Sequence, residues 1–91
     1  MKLRWTSKGL SDLARLHEFL FLVNRRAAAA VVRALTAGAA GLVKHPRIGE
    51  LLEQYRPREV RRHLVGSYEL RYEIKERTVY VLRIWHTREN R

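Results

Sequence analysis

The sequence predicts an α+β domain in which a helical hairpin packs on one face of a small, mainly antiparallel sheet, in the order β-α-α-β-β-β. Three observations predict it. Apolar residues recur at three- and four-residue spacing through residues 7–44, in two blocks separated at Asn24. Residues 59–86 then form three extended runs joined by the two-residue connections Gly66-Ser67 and Glu76-Arg77, short enough for hairpins. A brief alternating run precedes both helices.

That run, residues 2–6, places Leu3 and Trp5 on one side and Lys2 and Arg4 on the other, as a strand does. The first helix is expected over 7–23. Ser7 is a cap residue, and Leu10, Leu13, Ala14, His17, Leu20 and Phe21 form one apolar stripe. Asn24 interrupts and recaps. A second helix over 24–44 carries Ala27, Val31, Leu35, Ala39 and Leu42 inward and stops before Pro46, which disfavours helical geometry at His45. The short turn makes the helices antiparallel neighbours. Ala30, Ala34, Gly38 and Gly41 form a small-residue stripe, expected to meet the first helix closely or, alternatively, a partner helix.

Residues 45–59 read as a loop, and strands follow at 59–65, 68–75 and 78–86, with a basic tail at 87–91. Alternation in the middle strand turns Tyr68, Leu70, Tyr72 and Ile74 toward the helices and Glu69, Arg71, Glu73 and Lys75 away. In the last strand the same rule groups Tyr80, Leu82 and Ile84, and sets Val79, Val81, Arg83 and Trp85 on the outer face. On the strand at 59–65, Val60 and Leu64 are expected inward. The outer face therefore collects Arg61, His63, Arg71, Arg83 and Trp85. A basic face bearing an aromatic suits an anion, a stacked base or a partner strand, and also suits plain solvation.

The 91 residues form one domain, 1–91, too small for a deep multi-subsite pocket. Without cysteine, disulfides and thiol chemistry are excluded. Nineteen lysines and arginines against nine acids give a formal charge of +10, which attracts anionic partners. No run is long and apolar enough for a signal peptide or a membrane span, so the chain reads as soluble, without a membrane partner. His17, His45, His63 and His86 lack zinc-type spacing, and no phosphate loop, paired-carboxylate site or serine elbow is present. No metal, cofactor or catalytic residue is expected.

The segments DLARLHEFL, KHPRIGE, VRRHLVGSYELRYEI and VYVLRIWHTR, in this element order, resemble the RelE/ParE superfamily of bacterial toxins. The resemblance covers nearly the whole chain. RelE-like members are ribosome-dependent nucleases, whereas ParE-like members poison DNA gyrase without catalysis. RNA cleavage through the 2′-hydroxyl needs a base, an acid and cations around the phosphorane-like transition state. RelE-like toxins carry an arginine in the motif that reads YELRY here, and its position is Glu69. Thr87 stands where some nucleases place a tyrosine beside the histidine that matches His86.

The resemblance therefore implies a ParE-like, cytoplasmic bacterial toxin that binds gyrase and is neutralised by a ParD-like antitoxin in a hetero-oligomer. DNA association would then be indirect, through the antitoxin. Leu13, His17, Leu20 and Phe21, with Arg61, Arg71, Arg83 and Trp85, are the expected antitoxin contacts, and His86, Arg88 and Arg91 the gyrase-directed element. The alternatives are a RelE-like mRNA endonuclease using Arg61, Arg71, Arg83 and His86, and a basic nucleic-acid-binding module.

Overall fold

The computed structural model describes residues 1–89. In chain order the elements are β1 (Lys2–Trp5), α1 (Ser7–Val23), α2 (Arg25–Gly41), β2 (Glu50–Leu51), a 3₁₀ turn at Glu53–Tyr55, β3 (Glu59–Val65), β4 (Tyr68–Lys75) and β5 (Thr78–His86). One sheet of order β1-β5-β4-β3-β2 results, with β1 parallel to β5 and every other pair antiparallel. The predicted architecture is the observed one. Its unforeseen strand is β2, two residues of the expected loop pairing with Arg61 and Arg62.

Alpha-helix α1 is capped by Thr6, one residue before the expected Ser7. Thr6 Oγ1 accepts the Gly9 N–H at 3.0 Å and donates to the Val81 carbonyl at 2.9 Å, so the cap also ties the helix to β5. The buried stripe of α1 is Gly9 and Asp12, with Leu13 and Leu16 packed on the core. Leu10, Ala14, His17 and Phe21, expected inward, are exposed. Gly9 explains the rotation: a Cβ there would lie 2.6 Å from the Val81 carbonyl oxygen, so the first turn rests directly on the β5 backbone.

Asn24 ends α1 and caps α2, accepting the Ala27 N–H at 3.0 Å. Ala28, Leu35, Ala39 and Leu42 are buried, close to the expected inner stripe. The helix ends at Gly41, earlier than Lys44, because Leu42 and Val43 donate to carbonyls three residues back. The small-residue stripe does not pack on α1. Ala30 and Ala34 are exposed, Gly41 borders open space, and Gly38 meets Val65 of β3.

A β-bulge sets the faces of the sheet. Arg71 pairs with Arg83 but Tyr72 pairs with Val81, so Leu82 is an extra residue in β5. Parity flips across it: Val79 and Val81 before the bulge and Ile84 after it all enter the core with Leu70 and Tyr72. Val79 and Val81, expected on the outer face, are therefore fully buried under the helices. Arg83 and Trp85 do lie outward, opposite Arg71 and Glu69. On β3 the expected faces are exchanged. Arg61 and His63 pair with Tyr72 and Leu70 on the helix side, while Val60, Arg62 and Leu64 share the outer face. Val60 is buried there beneath the segment leading from β2 to β3, and Leu64 is 57% exposed.

Tyr72 anchors the HPRIG loop. Its hydroxyl donates to the Pro46 carbonyl at 2.6 Å and accepts the Gly49 N–H at 3.0 Å. Burial raises its pKa, which keeps the phenol protonated for that donation. Gly49 is squeezed between this hydroxyl and the Arg62 carbonyl, where a Cβ would stand 2.7 and 2.5 Å away. Arg61 completes the anchor by donating to the Gly49 carbonyl at 2.8 Å. Its expected place on the outer face is thus corrected to a loop support.

Asp12 holds α1 against the free edge of β5. Strand β1 stops opposite Val81, so the β5 amide of Ile84 has no strand neighbour on that side. Asp12 Oδ2 accepts that amide at 2.9 Å and the Arg83 Nε–H at 2.7 Å, and Arg15 closes on Oδ1 at 3.0 Å. Burial alone would raise the pKa of this carboxyl. The hydrogen bonds from Arg83 and Ile84, and the charges of Arg83 and Arg15, more than offset it and hold it below the ordinary value.

Tyr72→Phe is expected to cost about 1–3 kcal/mol by orphaning the Gly49 amide, read as a lower denaturant midpoint at unchanged slope. Asp12→Asn should cost about 2–4 kcal/mol, because Arg83 loses its countercharge. A depressed carboxyl pKa contributes stability that is complete above the unfolded value and is lost as pH falls through the folded one. Thermal melts from neutral pH into the acid range should therefore drop more steeply for the wild type than for Asp12→Asn. Glu76 and Arg77 sit at φ 52° and 58° in the β4–β5 turn. Substituting Asn-Gly for this pair, the preferred residues of such a turn, is expected to raise stability by about 1 kcal/mol.

Candidate functional site

The outer face of the sheet is organised in rows by strand pairing. Arg62, Arg71 and Arg83 lie abreast on β3, β4 and β5, and the next row holds Leu64, Glu69 and Trp85. Like charges directly opposite repel, so the row needs acids near it. Glu69, 1% exposed, accepts from Arg71 at 2.8 Å and lies 3.6 Å from Arg62. Glu50 holds Arg62 at 2.7 Å, and Asp12 holds Arg83. Each of the three guanidiniums is thereby paired with a carboxylate of the chain itself.

Aromatic rings fill the spaces between these charges. The Arg71 guanidinium stands 4.7 Å from the Trp85 ring centroid and Arg83 stands 5.5 Å from it. Tyr55 arrives from the 3₁₀ turn, its hydroxyl accepting from Arg71 at 2.9 Å. Arg58 lies over the same ring and is paired with Glu73 at 2.9 Å, which draws the Glu73 carboxyl below its ordinary pKa. Lys8, Arg58, Arg71 and Arg83 border a cleft of about 540 Å³ with Tyr55 and Trp85 at its walls.

A second concavity of about 390 Å³ lies between α1 and the ends of β4 and β5, walled by Leu16, Phe19, Tyr68, Ile84 and Trp85 and rimmed by Arg15, His86 and Glu89. It opens beside an apolar stretch of α1, where Phe19 is 66% and Leu22 84% exposed. Trp85 borders both concavities, so the groove along α1 runs onto the cationic face.

The residues expected from the sequence divide accordingly. Arg71, Arg83 and Trp85 come together, while Arg61 lies on the opposite face of the sheet. Leu13 is packed on the core and Leu20 is half-buried. His17 and Phe21 are exposed, their rings 5.7 Å apart, with Arg25 over Phe21 at 4.9 Å. His86 stacks edge-on with Tyr68 at 5.2 Å, and its Nδ1 accepts the Arg88 N–H at 3.0 Å. Arg88 is exposed, and Arg91 lies outside the described residues.

Sequence reasoning missed Asp12, Leu16, Phe19 and Tyr55. The signal for Asp12 and Leu16 was Gly9, which aligns with them at helical spacing once it is read as a contact residue. Tyr55 had no periodic signal, because it belongs to a turn.

A family model described as the ParE toxin of the type II toxin–antitoxin system parDE matches residues 3–91. No curated protein matches the sequence. Among solved structures, a chain of a chromosomal ParDE TA system from P. aeruginosa superposes with a TM-score of 0.79 at 20% identity, covering 94% of this chain and 95% of that one. At that identity the likeness concerns the fold. Matched over all but its first two residues, the chain belongs to the ParE toxin family of type II toxin–antitoxin systems.

Proposed function

We propose that this toxin acts in the bacterial cytoplasm by binding DNA gyrase, without chemistry of its own, and is silenced by a ParD-like antitoxin. The observation that carries the non-catalytic half of this reading is Glu69. Phosphodiester cleavage needs cations free to receive the charge that builds on the phosphorus oxygens. Here the buried Glu69 carboxylate already engages Arg71 and faces Arg62, and Asp12 engages Arg83. A phosphate entering this row would have to displace a carboxylate or approach it. His86 is also committed, with Nδ1 accepting a backbone amide.

The antitoxin contact is supported by the groove along α1. An extended or helical segment with apolar residues for Leu16, Phe19 and Trp85, and an acid for Arg15, matches its lining. Folding of such a segment on the toxin would cover the exposed end of α1. For gyrase, the support is family membership, together with the position of His86 and Arg88 at the end of a rigid strand.

The test is a DNA supercoiling assay with the purified chain. Inhibition by the chain is expected, with recovery on adding the product of the neighbouring open reading frame. Arg88→Ala should weaken inhibition at least tenfold with an unchanged melting temperature. Undiminished supercoiling at large molar excess, or cuts within the A-site codon on translating ribosomes, would defeat the proposal.

A further inference from the structure

The positive charge of this chain is not evenly committed. Arg15, Arg47, Arg56, Arg58, Arg61, Arg62, Arg71 and Arg83 are each ion-paired. Among the described residues, ten lysines and arginines have no such pair: Arg25, Arg26, Arg33, Lys44 and Arg88, on α2, the turn after it and the C-terminal end, and Lys2, Arg4, Lys8, Lys75 and Arg77, all exposed. The fold gathers the last five. Lys2 and Lys75 flank Thr78 in one row of the outer face, and Arg4 sits beside Tyr80 in the next. Arg77 occupies the adjoining turn, its carbonyl accepting the Lys2 amide at 3.0 Å. Lys8 follows where β1 gives way to α1, on the rim of the cationic cleft.

Two acids adjoin this patch. Glu73 is neutralised by Arg58, and Glu76 shares the turn with Arg77. The balance remains strongly positive. Within the patch Lys2 and Arg4 are about 7 Å apart along β1, and Lys2 and Lys75 stand two strand spacings, about 10 Å, apart. The large apolar side chains that are exposed lie on α1, the HPRIG loop and β3, with Met1 alone adjoining the patch. A protein partner would need apolar anchors there, and a membrane surface would favour apolar residues that insert. A polyanion needs only charge and reach.

We propose that this edge of the outer face, Lys2, Arg4, Lys8, Lys75 and Arg77 around Tyr80, is a direct, sequence-independent docking site for the phosphate backbone of double-stranded DNA. The toxin then has a nucleic-acid contact of its own, separate from any made through an antitoxin and independent of whether gyrase is its target. Backbone contacts of this kind release counterions, so the affinity falls with salt at a logarithmic slope of about 0.9 per phosphate engaged, giving about 4.5 if each of the five cations engages one.

The experiment is fluorescence anisotropy of a labelled duplex of arbitrary sequence with the full-length chain, titrated at several salt concentrations. Micromolar binding is expected at low salt. Arg4→Glu with Lys75→Glu should weaken it at least tenfold and lower the salt slope by about 2. The control is Arg25→Glu with Arg26→Glu on α2, which changes net charge equally and should stay within about twofold of the wild type. Circular dichroism melts establish that both variants fold; should the first not fold, Lys2→Gln with Lys75→Gln replaces it, with at least a threefold loss expected. Equal losses in patch and control variants would reduce the effect to net charge and overturn the proposal. So would absent duplex binding, or binding to phosphatidylserine vesicles in preference to the duplex.

Discussion

The structure depends on how the unpaired edge of β5 is satisfied. Nine residues of β5 lie beside only four of β1, and an exposed strand edge past Val81 would leave amides and carbonyls competing for water or for another chain. Helix α1 closes that edge with Thr6, Gly9 and Asp12. The threonine meets the Val81 carbonyl, the glycine lets the helix backbone descend onto it, and the aspartate takes the Ile84 amide. A buried carboxylate is costly by itself, but two guanidiniums and an amide surround this one. The consequence is positional. Because α1 is pinned by its first half, its second half leaves the sheet, exposes Phe19 and Leu22, and opens the groove that ends on Trp85.

The bulge at Leu82 and the pinning of Asp12 act on the same few residues. Without the extra residue, a strand holding Val79 and Val81 in the core would turn Arg83 and Trp85 inward with them. The bulge lets the strand bury valines before it and isoleucine after it, while arginine and tryptophan face out. Arg83 then lies close enough to the edge to reach Asp12 and close enough to Trp85 to stack on it. One irregularity thus supplies the core, the latch and the aromatic member of the outer face.

This is also where reading the sequence succeeds and fails. Element order was legible because helical and alternating periods are local properties, and Tyr68, Leu70, Tyr72 and Ile74 follow a strand without irregularity. The side assignment of β5 failed because strict alternation contains no term for a bulge, and Val79 and Val81 were placed outside. On β3 the pattern Val60-Arg61-Arg62-His63-Leu64 favours Val60 and Leu64 inward, yet Arg61 is held on the helix side by the Gly49 carbonyl and Glu59. That contact links residues far apart in sequence. The stripe of α1 was misread by hydrophobicity alone, since its most buried members are a glycine and an aspartate whose value lies in contact with the β5 backbone. Of the candidate site, Arg71, Arg83 and Trp85 were legible and Tyr55 was not.

Ion pairing also changes what a formal charge of +10 does. At the centre of the outer face, Glu69, Glu50 and Asp12 convert three arginines into fixed parts of the sheet, whose fields largely cancel within a few ångströms. Such groups give shape and stacking surfaces, and exposed pairs among them add little stability. The unpaired lysines and arginines lie around that centre, on the sheet edge, the turns and α2. Their field extends over about a Debye length, roughly 8 Å at physiological salt, and is the part of the charge that an approaching anion meets first. Encounter rate and short-range fit are therefore carried by different residues. Substituting an unpaired cation at the periphery acts chiefly on association and its salt dependence, whereas breaking Glu69 or Asp12 alters the surface against which any partner must fit.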